Sequence, residues 1–104
     1  MSDYPMTDAI AEREYELLRN DATIRLRVSV GKPTQVTDSV HPAWYCPWTI
    51  RDGSGVRNGW AKGEDSLQAL LLGLSALRTE LAIRAREGPL AHFGVEGSGI
   101  ALVE

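Results

Sequence analysis

Residues 65–87 read DSLQALLLGLSALRTELAIRARE, and the architecture turns on how this stretch packs. At 100° per residue Leu67, Leu70, Leu71, Leu74, Leu77 and Leu81 fall on one stripe, the pattern of a helix lying across a sheet. Asp65 as N-cap with Gln68 three residues on approximates a capping box, and Gly88-Pro89 stops the helix at about Glu87. The other side is apolar too: Ala69, Leu72, Ala76 and Ile83 form a second strip, with Gly73 beside it. One sheet cannot cover both. A second copy of the chain is the first expectation for what covers the strip, because two-fold contacts are the commonest way soluble proteins bury one. Docking of the apolar tail Ile100 to Val103 is the second, and the functional partner is the remaining alternative.

Upstream, Ile24, Leu26, Val28 and Val30 alternate with Arg25, Arg27 and Ser29, the period of a strand with one buried face. Ala9 to Leu18 fits a helix or a strand by periodicity; the turn-like Arg19-Asn20-Asp21 after it favours a strand paired with Ile24 to Val30. Residues 32–43 have the composition of a loop. Trp44 to Ile50 reads as a third strand with Trp44, Cys46, Trp48 and Ile50 on one face. Pro47 in its middle lacks a ladder donor and argues for a sheet edge or a bulge. Asp52 to Gly55 is a hairpin turn, and Val56 to Ala61 is the partner strand, with Val56 and Trp60 on one side and Arg57 on the other. The expected fold is α+β: an antiparallel meander of three to four strands with one long helix packed on one face. It forms one domain over 1–104, with 1–8 and 89–104 as flexible or docking tails.

Three segments carry a resemblance: Ile10 to Arg13 (Ile-Ala-Glu-Arg), Tyr45 to Pro47 (Tyr-Cys-Pro) and Asp65 to Leu70 (Asp-Ser-Leu-Gln-Ala-Leu). With them the chain resembles a small uncharacterised bacterial domain family over roughly residues 9–82. The resemblance implies a strand-rich sheet followed by one helix, strand included for Ala9 to Leu18. It implies no activity. The start with Asp3 and Asp8, the 32–43 loop and the tail fall outside it.

The 104 residues are 43% hydrophobic and 24% charged, which disfavours disordered and transmembrane classes. The longest apolar runs, Ala69 to Leu72 and Ile100 to Val103, are short against a bilayer. A lone cysteine, Cys46, forms no internal disulfide and suits a reducing compartment, so a cytoplasmic location is expected. The net charge of −3 argues against general nucleic-acid binding.

No residue set forms a complete catalytic or metal motif, and no cofactor is expected. Cys46 and His41 lack a third group to orient them, and alternation with Trp44 and Trp48 makes Cys46 a buried thiol. His92 has no second histidine at helical spacing. Glu12, Glu14 and Glu16 share one face of a strand and read as a solvated stripe. Gly53-Ser54-Gly55 precedes a strand rather than a helix and is a turn, not a phosphate loop. Arg25 and Arg27 with Arg57 suggest a basic surface, and Trp44, Tyr45, Trp48 and Trp60 supply aromatic contacts beside it.

Two function classes follow. The favoured one is a protein-binding module, an inhibitor or immunity-type protein acting on a larger protein and itself a homodimer. The alternative is a small-ligand binder or enzyme with a pocket between meander and helix, walled by Tyr45, Trp48, Trp60 or His41.

Overall fold

The computed structural model describes residues 6–36, 43–92, 95–97 and 99–100, with only the backbone of His92, Val95 and Glu96. Seven strands and one α-helix follow in the order β1 (Ala9–Arg19), β2 (Ala22–Gly31), β3 (Thr34–Val36), β4 (Ala43–Asp52), β5 (Gly55–Gly63), α1 (Ser66–Arg84), β6 (Leu90–His92) and β7 (Val95–Glu96). The class is α+β, one antiparallel sheet with one helix on it, but the sheet has more strands than three to four. The added ones are short: β3 lies inside the expected 32–43 loop, and β6 and β7 lie in the expected tail.

The first segment is a strand, and its turn shows why. Asn20 and Asp21 take φ of 50° and 62°, and Arg19 pairs with Ala22 around them. Two consecutive left-handed residues make the two-residue turn whose twist matches that of the flanking strands, and Asn and Asp tolerate it best after glycine. The second long hairpin closes differently. The Asp52 carboxylate accepts hydrogen bonds from the Ser54 and Gly55 backbone N–H groups at 2.8 and 3.0 Å and from the Ser54 hydroxyl at 2.8 Å. The Ser54 N–H first, then the Ser54 hydroxyl, Arg84 and the Gly55 N–H, hold its pKa below the usual carboxylate value.

β4 is not the sheet edge that Pro47 suggested. It pairs with β5 along its full length on one side, and with β2 and then β3 on the other. The β2 ladder ends at Val30–Trp48 and the β3 ladder begins at Thr34–Tyr45, so Pro47 stands opposite the break between them. A residue without an N–H is tolerated where a ladder is already interrupted.

α1 starts as expected: the Asp65 side chain accepts from the Gln68 N–H at 2.7 Å. Gln68 Oε1 in turn accepts from the Glu64 N–H at 2.6 Å, one residue outside a strict capping box. The face it buries differs from the leucine stripe. Ala69, Gly73, Leu77 and Leu81 are buried, Leu70, Leu74 and Ala76 are partly buried against the core, and Leu67 and Leu71 are exposed. The cause is close approach: a Cβ on Gly63 would stand 2.4 Å from the Ala69 nitrogen, and one on Gly73 would stand 2.8 Å from Cys46 Sγ. Small residues set the helix on the sheet, and leucines flank the contact. Ala69, placed in the interface strip by its spacing, is 0% exposed inside this one chain.

The core lies between the sheet and α1: Tyr15 and Leu17 of β1, Leu26, Val28 and Val30 of β2, Cys46, Trp48 and Ile50 of β4, Leu77 and Leu81 of α1, and Leu90. Burying each large side chain contributes about 1.5–3 kcal/mol relative to exposure. Leu90 docks because β6 adds to β1, with Leu17 opposite Leu90. By length and composition Ser66–Glu87 would pass for a membrane span, as apolar core helices of soluble proteins also do.

Candidate functional site

Alternation through the register sorts every charged and aromatic candidate onto one of two faces. Arg13, Tyr15, Val28, Ile50 and Arg57 share the helix face, as do Trp44, Cys46 and Trp48; Glu12, Glu14, Arg25, Arg27, Ser29, Thr49, Arg51 and Trp60 share the outer face. Arg57 therefore does not join Arg25 and Arg27. It reaches Glu80 of α1 at 2.9 Å, and the hydrogen bond and charge of that carboxylate raise its pKa. Arg51, directly across from Arg27, takes its place on the outer face.

The outer face is a solvated charge lattice. Arg27 Nη2 donates to Glu14 Oε1 at 2.8 Å, and the Ser29 hydroxyl donates to Glu12 at 3.0 Å. The Arg27 hydrogen bond, then its charge, pulls the Glu14 carboxyl below its ordinary value. An exposed carboxylate held ionised by a cation is poorly suited to act as a general acid near neutrality. Two further ion pairs tie elements together, Arg84 with Asp52 at 3.3 Å and Arg19 with Glu87.

The aromatic set does not form one surface. Trp48 is buried on the helix face with its ring across Gly59, where any Cβ would strike it, and its indole N–H has no acceptor among the described residues. Trp44 is half-buried on the same face and Tyr45 is buried on the other. Only Trp60 is exposed, 39%, with Lys62 Nζ 5.8 Å from its ring centroid.

Cys46 is fully buried under Gly73, and burial pushes its thiol up to about 11. So protonated a thiol is a weak nucleophile. Among the described residues no three or more His, Cys, Asp and Glu side chains gather where they could hold a metal. His41 lies outside the described residues, as do Asp3, Phe93 and residues 101–103; of His92 only the backbone is described.

A cavity of about 340 Å³ does lie between sheet and helix, over β1 and β2. It opens to the surface, and its walls include Arg13, Tyr15, Val28, Val30, Leu74 and Leu77, with Gly99 and Ile100 beside them. None of Tyr45, Trp48 and Trp60 lines it, which corrects the expected walls. Spacing missed it because it arises from the tilt of α1, close over β5 and further from β2.

The remaining candidate is α1 itself. Four of the nine large hydrophobic side chains exposed among the described residues, Leu67, Leu71, Leu72 and Ile83, fall on this one helix, with Leu67 63% exposed. Leu72 and Ile83 of the predicted strip stay exposed, and Ala76 is half-buried.

No curated protein and no solved structure matches the chain. A family model described as a domain of unknown function (DUF6968) matches residues 11–102, taking in the 32–43 loop and most of the tail that the sequence resemblance left out. This chain belongs to that DUF6968 family.

Proposed function

We propose that the domain is a protein-binding module that docks onto a larger protein, in the manner of an inhibitor or immunity-type protein, through the crest of α1. The observation that carries this reading is the pair Leu67 and Leu71, exposed one turn apart on the side of the helix turned from the sheet. Exposed apolar side chains grouped on one element mark contact surfaces more often than scattered ones do.

The test is affinity capture from the native host, identification of the bound protein, and titration of the purified pair. Leu67→Glu with Leu71→Glu should weaken binding at least about tenfold while circular dichroism stays unchanged. Equal affinity for wild type and variant would remove the crest from the function.

The cavity supports a second reading, a site for a small, largely apolar molecule, since its volume falls within the range of ligand pockets. Val28→Trp should fill it. A thermal shift with apolar carboxylic acids that Val28→Trp abolishes would favour this reading over the first.

A further inference from the structure

The outer face of the sheet, turned away from α1, carries its charges in rows set by register. β1 contributes Glu12, Glu14 and Glu16, β2 contributes Arg25 and Arg27, and β4 contributes Arg51. The first two rows are complementary, with Glu14 opposite Arg27 and Glu16 opposite Arg25. The next step is not. Arg51 stands directly across from Arg27, and like charges so placed destabilise a sheet.

Nothing beside Arg51 offsets this. Its opposite residue on β5 is Val56, and its same-face neighbours along the chain are Thr49 and Gly53. Glu14 is already engaged, accepting from Arg27 at 2.8 Å. Asp52 is engaged too, by the Ser54 and Gly55 donors of its own turn and by Arg84 of α1. Among the described residues, Arg25 and Arg51 make no hydrogen bond or ion pair, whereas Arg27 has its partner. Two exposed guanidiniums are thus left over on one small area of the face.

That area is concave. A surface pocket of about 340 Å³ is lined by Arg25, Arg27, Arg51 and Gly53, with Glu14 among its walls. The turn glycine helps to keep the space open, since even a Cβ at Gly53 would meet no atom within 4 Å. Arg25 and Arg51 are diagonal neighbours across β2 and β4, about 7–8 Å apart at the backbone, a gap that two long side chains can close on one group.

We propose that this pocket binds a doubly charged oxyanion, phosphate or the phosphate group of a small monoester, held by the Arg25 and Arg51 guanidiniums while Arg27 stays with Glu14. The planar fork of a guanidinium matches phosphate oxygens two at a time. A phosphomonoester carries close to two negative charges above neutral pH, the number of cations left over. The surroundings select a compact anion over an extended one. A chain of phosphates leaving the pocket would run onto the acidic row of β1 on one side and onto neutral Val56 and Asn58 of β5 on the other, on a molecule whose net charge is −3.

This site does not rest on the crest reading, because it lies on the sheet face away from α1. Titration of the whole chain at pH 8 and low salt with phenyl phosphate should show saturable binding with a dissociation constant of about 1 mM or below, and amide shifts confined to the neighbourhood of Arg25, Arg27 and residues 51–55. Inorganic phosphate, titrated alongside, separates the two sources: tighter binding of the free ion assigns the pocket to it, and tighter binding of phenyl phosphate assigns it to esters. Benzenesulfonate, of similar shape but with one charge, should bind at least about fivefold more weakly than phenyl phosphate. Arg25→Gln and Arg51→Gln should each weaken phosphate binding at least about fivefold with circular dichroism unchanged. Lys32→Gln, an exposed cation outside the pocket, removes the same charge and should leave the affinity as in wild type. The proposal is overturned by no saturable binding of either phosphate up to about 10 mM, by equal affinity in Arg51→Gln, or by an equal loss in Lys32→Gln. A ten-nucleotide oligothymidylate that binds more tightly per phosphate than phenyl phosphate would overturn it as well, since the face would then track an extended polyanion.

Discussion

On the β4–β5 side, α1 meets the sheet through Gly63, Ala69 and Gly73; on the β1–β2 side the space is filled by Tyr15, Leu17, Leu26, Val28 and Val30 with Leu74, Leu77 and Leu81 above them. The same helix is therefore seated closely on one hairpin and held off the other by large side chains. The result is a wedge. Its closed side leaves no room for a methyl group, and its open side contains the 340 Å³ cavity. The contrast shows that contact distance, set by the smallest residues, fixes the rotation of an apolar helix more firmly than its leucines do.

Truncation should separate the two sides of the wedge most sharply. Leu77 is 1% exposed, and Leu77→Ala should cost about 2–5 kcal/mol in urea unfolding. Leu74, partly buried at the cavity wall, should cost less on truncation, about 1–2 kcal/mol, because part of its surface already faces open space. Equal losses at the two positions would mean that α1 is not tilted.

At the closed side, Gly63→Ala should cost about 1–3 kcal/mol, since the new Cβ meets the Ala69 backbone and no side chain can swing aside. The cavity would widen as the helix lifts. A Gly63→Ala protein with an unchanged melting temperature would show that the close approach is not needed.

The sequence made the long strands legible, because alternation such as Ile24 to Val30 has one physical meaning, a sheet with one buried face. Ala9 to Leu18 was legible only through its turn, since Ile10, Leu17 and Leu18 fit either period. β3 was not, because three residues carry no period and its pairing to Ala43–Tyr45 depends on the break at residues 31–33. The helix was evident but its phase was not. Hydrophobicity ranks leucine above alanine and glycine, while the sheet selects the small residues. Of the candidate site, Leu72 and Ile83 were readable as apolar positions off the main stripe. The grouping of Arg57 with Arg25 and Arg27 failed because cross-strand register, not spacing along one strand, decides which face a residue shares.

The hairpin turns offer a smaller effect with a defined pH sign. The pKa of the Asp52 carboxylate is held below its ordinary value by the Ser54 donors first, with Arg84 and Gly55 adding to them. A carboxylate depressed in the fold stabilises it above its unfolded value, and that contribution fades as pH falls from about 4 through the lowered folded value. Asp52→Ala should cost about 1–2 kcal/mol near neutrality through the lost turn hydrogen bonds. Its stability should also fall less steeply than that of wild type below about pH 4. Parallel curves for the two proteins in urea titrations across acid pH would show that the turn carboxylate is not linked to folding.

The smallest expected effect separates leucines of one helix by nothing except rotation. Leu67 and Leu77 have the same side chain, yet Leu67 is 63% exposed and Leu77 is 1% exposed. Truncating Leu77 removes contacts on all sides and leaves a void, whereas replacing Leu67 and Leu71 by Gln exchanges one solvated surface for another and keeps a good helix former at both sites. Leu67→Gln with Leu71→Gln should therefore shift the unfolding free energy by no more than about 0.5 kcal/mol, and hydrogen exchange across α1 should stay as in wild type. The Asp65 cap and the Gln68 reach to Glu64 are untouched by these changes, so the first turn has no other reason to fray. A loss above about 2 kcal/mol, as for a buried leucine, would mean that the crest is covered within the folded chain, and the surface assigned to partner binding would not exist.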